Sequence, residues 1–541
     1  MTEPRRDTNW WGWGDPMRRT ELDATALAVL RERIGELEPW PLEARIDGFG
    51  LPEVRPLPRA VIEAVGADAV FDGKEDRLRH AVGSGYIDLA RLRSGRLEDA
   101  PDAVLVPADA AAVGRLIDAC AANDVAVVPF GGGTSVVGGV EPLRGPYAAL
   151  ISLDLTALRE IVVDDTSLTA RLGAGLRGPE AEAALGAQGL TLGHFPQSFE
   201  FATIGGFAAT RSAGQASSGY GRFDSLVSSV RLLSPSGNLS TLETPHTAAG
   251  PALREVVIGS EGALGVIPDV TVRVRPAPLQ RRYEAWMAES FEAGTEFVRD
   301  LAQGSGLPTV IRVSDEEETG GSLALSGPRG AAGRAFGGYL KARRRGGGAL
   351  MIVGFEGDEE TVTRKRALAV RALRGGGAVY LGRSGGRSWE HGRYGGPYQR
   401  DLLMGMGAMV ETLETSHTWT RLHELHRAVG AAITAALDGQ GTPGLVFCHL
   451  SHAYPDGASL YFTFISRARR GSEVEQWAAV KKAASATIVA NGATITHHHA
   501  VGRDHTPYMA AEVGETGLEV LRAVKERLDP AGIMNPGKLL P

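Results

Sequence analysis

Three consecutive histidines, His497, His498 and His499, close the run NGATITHHHAVG, and Tyr461 stands 36 residues before them in SHAYPDGASLYFTF. Imidazole changes charge near neutrality and a phenol keeps its proton to higher pH, so this combination suits proton transfer. Plainer uses compete. A tyrosine in an alternating strand is most often a packing residue. Imidazoles also ligate zinc or iron, although the two cysteines, Cys120 and Cys448, supply no ligand cluster and no metal is expected. On a strand His497 and His499 face one side and His498 the other, so the three share a site only where the chain bends.

Glycine carries the second signal. In Pro129-Phe130-Gly131-Gly132-Gly133-Thr134-Ser135, three adjacent glycines let successive N–H groups converge on an anion such as a diphosphate. The loop is neither GxGxxG nor GxxxxGK[ST], which counts against a nicotinamide Rossmann fold and a P-loop. Residues 192–240 add Gly205-Gly206, Ala213-Gly214 and Gly219-Tyr220-Gly221, and GSEGALGVIPDVTVRV follows at 259–274. Glycine is entropically costly unless its backbone freedom is used, so three such approaches in one region point to a bound group.

Periodicity gives the elements that must hold these residues. DAVLVPAD (102–109) and VAVVPF (125–130) read as strands around the helical AAAVGRLIDACAAND (110–124). AALISLDL, EIVVDD and SLTARLGAG are short strands, and PEAEAALGAQG (179–189) is a helix. Beyond 280, the strands ALMIVGFEG and ASLYFTFIS alternate with helices in TVTRKRALAVRALRGGG and at 473–492, as in an antiparallel sheet covered on one side. The reading is α+β: an amino-terminal helical cap (1–97), a cofactor domain (98–279), an α+β substrate or cap domain (280–505) and a closing helix and coil (506–541).

Composition excludes several functions. A net charge of -7 and a pI near 6.1 argue against nucleic acid, and RARR (467–470) and KARRRGGG (341–348) read as solvated loops or element ends. No secretory leader and no membrane-spanning apolar run are seen, which predicts a cytoplasmic protein. Trp10, Trp11 and Trp13 favour burial against a neighbouring domain over insertion in a membrane interface.

PFGGGTSVVGG, ATIGGFAATRSAGQASSGYG and GSEGALGVI together resemble the FAD-binding domain (PCMH-type) of the vanillyl-alcohol-oxidase flavoprotein superfamily, over residues 98–279. The resemblance implies a two-part FAD-binding domain. By similarity, Pro129, Phe130, Gly131, Gly132, Gly133, Thr134 and Ser135 hold the diphosphate. Pro196, Gln197, Ser198, Thr203, Gly205, Gly206, Ala213, Gly214, Tyr220 and Gly221, with Glu261, Gly262, Val266 and Ile267, wrap the ribityl and isoalloxazine portions. Thr134 stands where covalent members often carry histidine, which implies non-covalent FAD.

WWGWGDP, GHFPQSFEFATIGG, SHAYPDGASLYFTF and NGATITHHHAVG further resemble the alkyldihydroxyacetonephosphate synthase family. What this implies is exchange of the acyl group of acyl-dihydroxyacetone phosphate for a long-chain alcohol through a flavin N5 adduct, in ether-lipid synthesis. Tyr461 would be the acid/base group, with His194, His498 and His499 around it and Arg312 and Arg400 on the substrate phosphate. The resemblance also implies lipid substrates, a homodimer, and peripheral contact with the inner membrane face, for which Trp10, Trp11 and Trp13 are candidates. The family pattern places Gly-Val-Gly and Lys after the histidines, whereas this chain has Ala500-Val501-Gly502-Arg503. The alternative is an FAD-dependent 2-hydroxyacid oxidase or dehydrogenase of the glycolate-oxidase or D-lactate-dehydrogenase type, whose usual metal-ligand pattern is broken here by Tyr461 and His498.

Overall fold

Val125–Phe130 forms a buried parallel strand because its β-branched and aromatic side chains fill both faces, and it pairs with Ala149–Asp154, which pairs on its other side with Ala103–Leu105. The helix Ala110–Ala122 covers them, started by Asp109, whose side chain accepts the Ala112 N–H at 2.7 Å. A short strand, Val70–Phe71, completes this four-stranded sheet. Next to it stands a five-stranded antiparallel sheet in the order Ile161–Asp164, Thr169–Gly173, Asp269–Arg273, Val227–Ser234, Gly237–Ser240. These two sheets are the two parts of the cofactor-binding half. The computed structural model describes residues 3–18, 20–22, 24–42, 45–327 and 330–541.

The other half is built on a seven-stranded antiparallel sheet. Its strands run, edge to edge, Val379–Gly382, Gln280–Ala288, Ala349–Gly357, Val310–Ser314, Gly444–Ala453, Gly457–Arg467 and Ala408–Thr418. Gly457–Arg467 shows how period two sorts the faces. Leu460, Phe462 and Phe464 are fully buried in the main core, where Leu422, Leu425, Val429, Ile433 and Leu437 of the helix Trp419–Gly439 also lie, whereas Tyr461 and Thr463 are half-buried on the opposite face. That face turns toward the cofactor half, where the short helix Ser217–Tyr220 packs on Val310–Ser314 and Gly444–Ala453. The sheet is not bare on this side. The helix Gly396–Gly405 packs on Ala408–Thr418, and Glu316–Ser326 packs on Gly444–Ala453; the 316–348 segment holds a second helix, Gly330–Ala342.

The chain ends cross between the halves. Ile533 and Met534 join the core of the first sheet, Met534 bridging Val127. Trp10 packs edge-on against Phe49 and Trp13 against Phe201, both nearly inaccessible, so these two rings are core residues rather than a membrane anchor. Their indole surface gains more from a dry protein interface than from exposure. Among the described residues no helix is long and apolar enough to cross a membrane.

Candidate functional site

The glycine loop follows directly from its strand. From Gly131 to Val136 the backbone N–H groups have no acceptor among the described residues, and the loop stays half-exposed. Six successive free donors are a nest for a polyanion, so the residues present fit the diphosphate of FAD. A Cβ on Gly132 would overlap the Phe201 carbonyl oxygen, so only glycine lets the loop lie against 201–203. The loop is braced from outside, since Ser84 N–H donates to the Ser135 carbonyl at 2.6 Å and its hydroxyl to the Gly133 carbonyl at 2.8 Å.

Tyr461 lies in a cross-strand row on the face of the seven-stranded sheet. Register places it opposite His449 on one side and Glu414 on the other, with Ser314 next to His449 and Arg312 two residues along the same face. The His449 ring stacks on Tyr461 at 4.9 Å between centroids. His449 Nδ1 lies 3.2 Å from Glu318 Oε2, within ion-pair range but not aligned for a hydrogen bond, and Glu318 is ion-paired with Arg312. Burial alone would raise the Glu318 carboxyl, but Arg312 and His449 outweigh it and bring it to about 2. Burial pushes the Tyr461 hydroxyl up to about 12.

Glu414 explains how the three histidines meet. Residues 497–499 are a bend, not a strand, and the buried Glu414 carboxylate accepts the N–H groups of His497, His498 and His499 at 2.6, 2.9 and 2.8 Å. The Thr496 hydroxyl donates to it as well, at 2.8 Å. The imidazoles of His498 and His499 thereby come within 6.1 and 5.5 Å of the Tyr461 ring centroid. His452 stacks on His497 at 5.1 Å, and the Tyr454 hydroxyl is 2.8 Å from His497 Nε2. Burial lowers His452, His497 and His498, and lowers His499 to about 3, so this cluster is neutral at pH 7. Burial would raise Glu414, yet the three histidine side chains and the N–H groups outweigh it and hold the carboxyl well below the usual range. One ligand atom from each of His452, His497 and His498 lies within 4.8 Å of the others. Tetrahedral zinc with bonds of about 2.0–2.1 Å needs nitrogens roughly 3.4 Å apart.

The remaining residues singled out in the sequence fall in three places. His194 lies 3.0 Å from the Ser212 hydroxyl and is packed against Phe207 and Phe223, and burial, with a smaller contribution from nearby His498, lowers it to about 3. Arg312 and Arg400 both carry counterions already. Arg400 donates to Asp401 Oδ1 at 3.0 and 2.8 Å and to the Ser84 carbonyl, which ties the cap half to the glycine loop. Around the second and third glycine runs it is largely backbone that can meet a ligand: Ala213, Val266 and Ile267 are core side chains, and Thr203 caps its helix through the Gly206 N–H at 3.3 Å. Gln197 keeps a buried amide nitrogen without a partner. The Tyr220 hydroxyl donates to Glu356 at 2.7 Å across the two halves. Glu261 spends its carboxylate on the Val501 and Gly502 N–H groups, each at 2.8 Å, and burial pushes it up to about 7.

Sequence reasoning missed Glu414, Glu318 and His449 as members of the row. His452 and Tyr454 lay inside a quoted motif without being assigned. Only strand register joins them to Tyr461, and one sequence has no local mark for register.

Comparison with known proteins agrees with this geometry. Residues 101–243 match the family described as FAD binding domain, and residues 277–539 the family described as FAD linked oxidases, C-terminal domain. The chain is 32% identical over 482 residues to an alkyldihydroxyacetonephosphate synthase of Dictyostelium discoideum, covering 88% of this chain and 79% of that one. With the synthase of Trypanosoma brucei brucei it shares 34% over 478 residues, 86% and 77% of the two chains. A solved alkyldihydroxyacetonephosphate synthase structure superposes with a TM-score of 0.85 at 27% identity, covering 99% of both chains.

Proposed function

Since the chain belongs to the alkyldihydroxyacetonephosphate synthase family, we propose that it exchanges the acyl group of acyl-dihydroxyacetone phosphate for a long-chain alcohol, releasing a fatty acid. The observation that carries this reading is the row of Tyr461, His449 and Glu414 with the histidine bend, on the sheet face turned toward the FAD-binding half. When bound, FAD supplies the ring nitrogen that displaces the acyl group, without net electron transfer.

The protein's own residues handle protons and position. The exchange releases one proton as the alcohol becomes an ether and the acid leaves as carboxylate. Neutral imidazoles at His498 and His499 have free lone pairs for that proton, and burial keeps them neutral. Tyr461, with its hydroxyl near 12, enters the cycle protonated, as a donor toward the reacting oxygen, and returns to that state by recovering a proton. We assign residues 98–279 to the cofactor and 280–505 to the substrate, with 1–97 as cap and 506–541 as closing segment. Arg312 and Arg400 are the cations for the phosphate in this reading, which requires each to share its guanidinium with a present carboxylate partner. Lipid substrates support a peripheral, homodimeric enzyme at the cytoplasmic membrane face, making contact elsewhere than through Trp10 and Trp13.

The test mixes FAD-loaded protein anaerobically with palmitoyl-dihydroxyacetone phosphate and hexadecanol. Fatty-acid release, ether formation and a flavin left oxidised at the end are expected. Full bleaching by D-lactate or glycolate, with no fatty acid from the acyl substrate, would overturn the reading in favour of a 2-hydroxyacid dehydrogenase.

A further inference from the structure

The histidine bend has almost no secondary structure of its own, yet nearly every backbone donor in it is accepted by one of two buried carboxylates. Glu414, from the outer strand of the seven-stranded sheet, takes the N–H groups of residues 497, 498 and 499. Glu261, from the last glycine run of the cofactor half, takes those of Val501 and Gly502. Between the two grips Ala500 adopts φ +75°, which reverses the chain so that the second pair of donors points at the other half. Gly502 has φ +54°, and a Cβ there would overlap the Val137 carbonyl oxygen just beyond the diphosphate loop. Neither carboxylate has a Lys or Arg within ion-pair distance among the described residues; the side chains nearest Glu414 are the neutral imidazoles, His498 Nδ1 at 3.4 Å and His499 Nδ1 at 3.9 Å. A buried carboxylate without a cation is costly unless N–H groups fill its lone-pair positions. Each buried carboxyl group therefore depends on the bend, and the bend on both of them.

We propose that Glu414 and Glu261 are paired positioning residues, one from each half, that clamp residues 496–502 and so aim the His498 and His499 imidazoles at Tyr461 and the cofactor. The inference rests on the transferase reading only for what the aim accomplishes; the clamp itself is a statement about the loop. Glu414→Gln tests it sharply, because glutamine keeps the shape but replaces an acceptor oxygen with NH2, setting a donor against donors.

In the full-length, FAD-loaded protein, E414Q is expected to lower kcat roughly 100-fold with KM for the acyl substrate changed less than about threefold, since the loss is of orientation rather than of binding. E261Q, which deprives only one of the second pair of donors of its acceptor, is expected to lower kcat roughly 10-fold with the same split. A folded, flavin-retaining E414Q whose kcat stays within threefold of wild type, or whose loss lies in KM alone, would overturn the proposal. Should E414Q fail to fold, E261Q decides by the same criterion. Labelling by diethylpyrocarbonate, read by mass spectrometry on the peptide holding His498 and His499, separates this inference from the assigned reaction. Faster labelling in the variants supports the clamp even if wild type turns over no acyl substrate, and unchanged labelling refutes it even if wild type does.

Discussion

Replacing Arg312 with methionine removes the cation that faces the buried Glu318 carboxylate while keeping most of the aliphatic stem. Glu318 moves from an ordinary 4.5 to about 2 on folding, and at about 1.4 kcal/mol per pH unit that is worth about 3 kcal/mol. That figure is what remains after burial has raised the carboxyl, and since His449 stays beside Glu318 when Arg312 is removed, a loss of about 2–3 kcal/mol is expected. The sign is fixed by the direction: a carboxyl depressed in the folded state stabilises fully above 4.5, and the contribution fades as the pH falls through 2. For a cooperative unit of about 200 residues, R312M should therefore lower Tm by roughly 5–10 °C at pH 7, and the gap to wild type should close toward pH 2–3. Thermal melts of both proteins across that pH range, with the R312M/E318Q double variant as partner, measure it. The double variant should recover part of the loss, because it no longer buries an unpaired anion. A Tm equal to wild type at pH 7 together with a tenfold higher KM for the phosphate substrate would refute the structural argument and leave Arg312 as a phosphate ligand only.

Two further outcomes follow from the site. Tyr461→Phe keeps the ring stack on His449 but loses the hydroxyl; kcat should fall by roughly 100- to 10,000-fold while the 450 nm flavin absorbance is retained, and unchanged turnover would remove Tyr461 from the chemistry. Gly132→Ala forces a Cβ onto the Phe201 carbonyl and should displace the diphosphate loop, so the protein should purify with little flavin, as absorbance at 450 nm relative to 280 nm will read.

The elements were legible because their signals are local. The helix Ala110–Ala122 sits between an Asp cap and a buried strand, and within the strand Gly457–Arg467 the stretch from Leu460 to Phe464 alternates so regularly that its buried and half-buried faces follow from the residue types alone. The anion nest was legible too, since three adjacent glycines after a buried strand have few other uses. The preference for burial of the Trp cluster over a membrane role agrees with where Trp10 and Trp13 lie. Helix cover on one side of the large sheet was too simple, because the helices Glu316–Ser326 and Gly396–Gly405 pack on the other side, and their glycine-bearing or short sequences carry weak periodicity.

What stayed hidden was the set of acidic partners, and the reason is physical. Glu414 lies in MVETLETSHT among other exposed-looking polar residues, and its value depends on two distant events: antiparallel register that sets it beside Tyr461, and a bend 83 residues later that turns three N–H groups toward it. A sequence pattern records which side chains can carry a proton, so the histidines and the tyrosine stand out by type. It does not record which carboxylate fixes their direction, because a glutamate in a strand looks the same whether it meets water or a ring of donors. Burial then decides the chemistry in opposite senses for the two kinds of group. It strips the imidazoles of their charge, leaving them as neutral acceptors, whereas the N–H groups and cations around Glu414 and Glu318 keep those carboxylates ionised despite the same loss of solvent. The proton-accepting capacity of the row at neutral pH is thus a property of the assembled sheet and bend, present in neither segment alone.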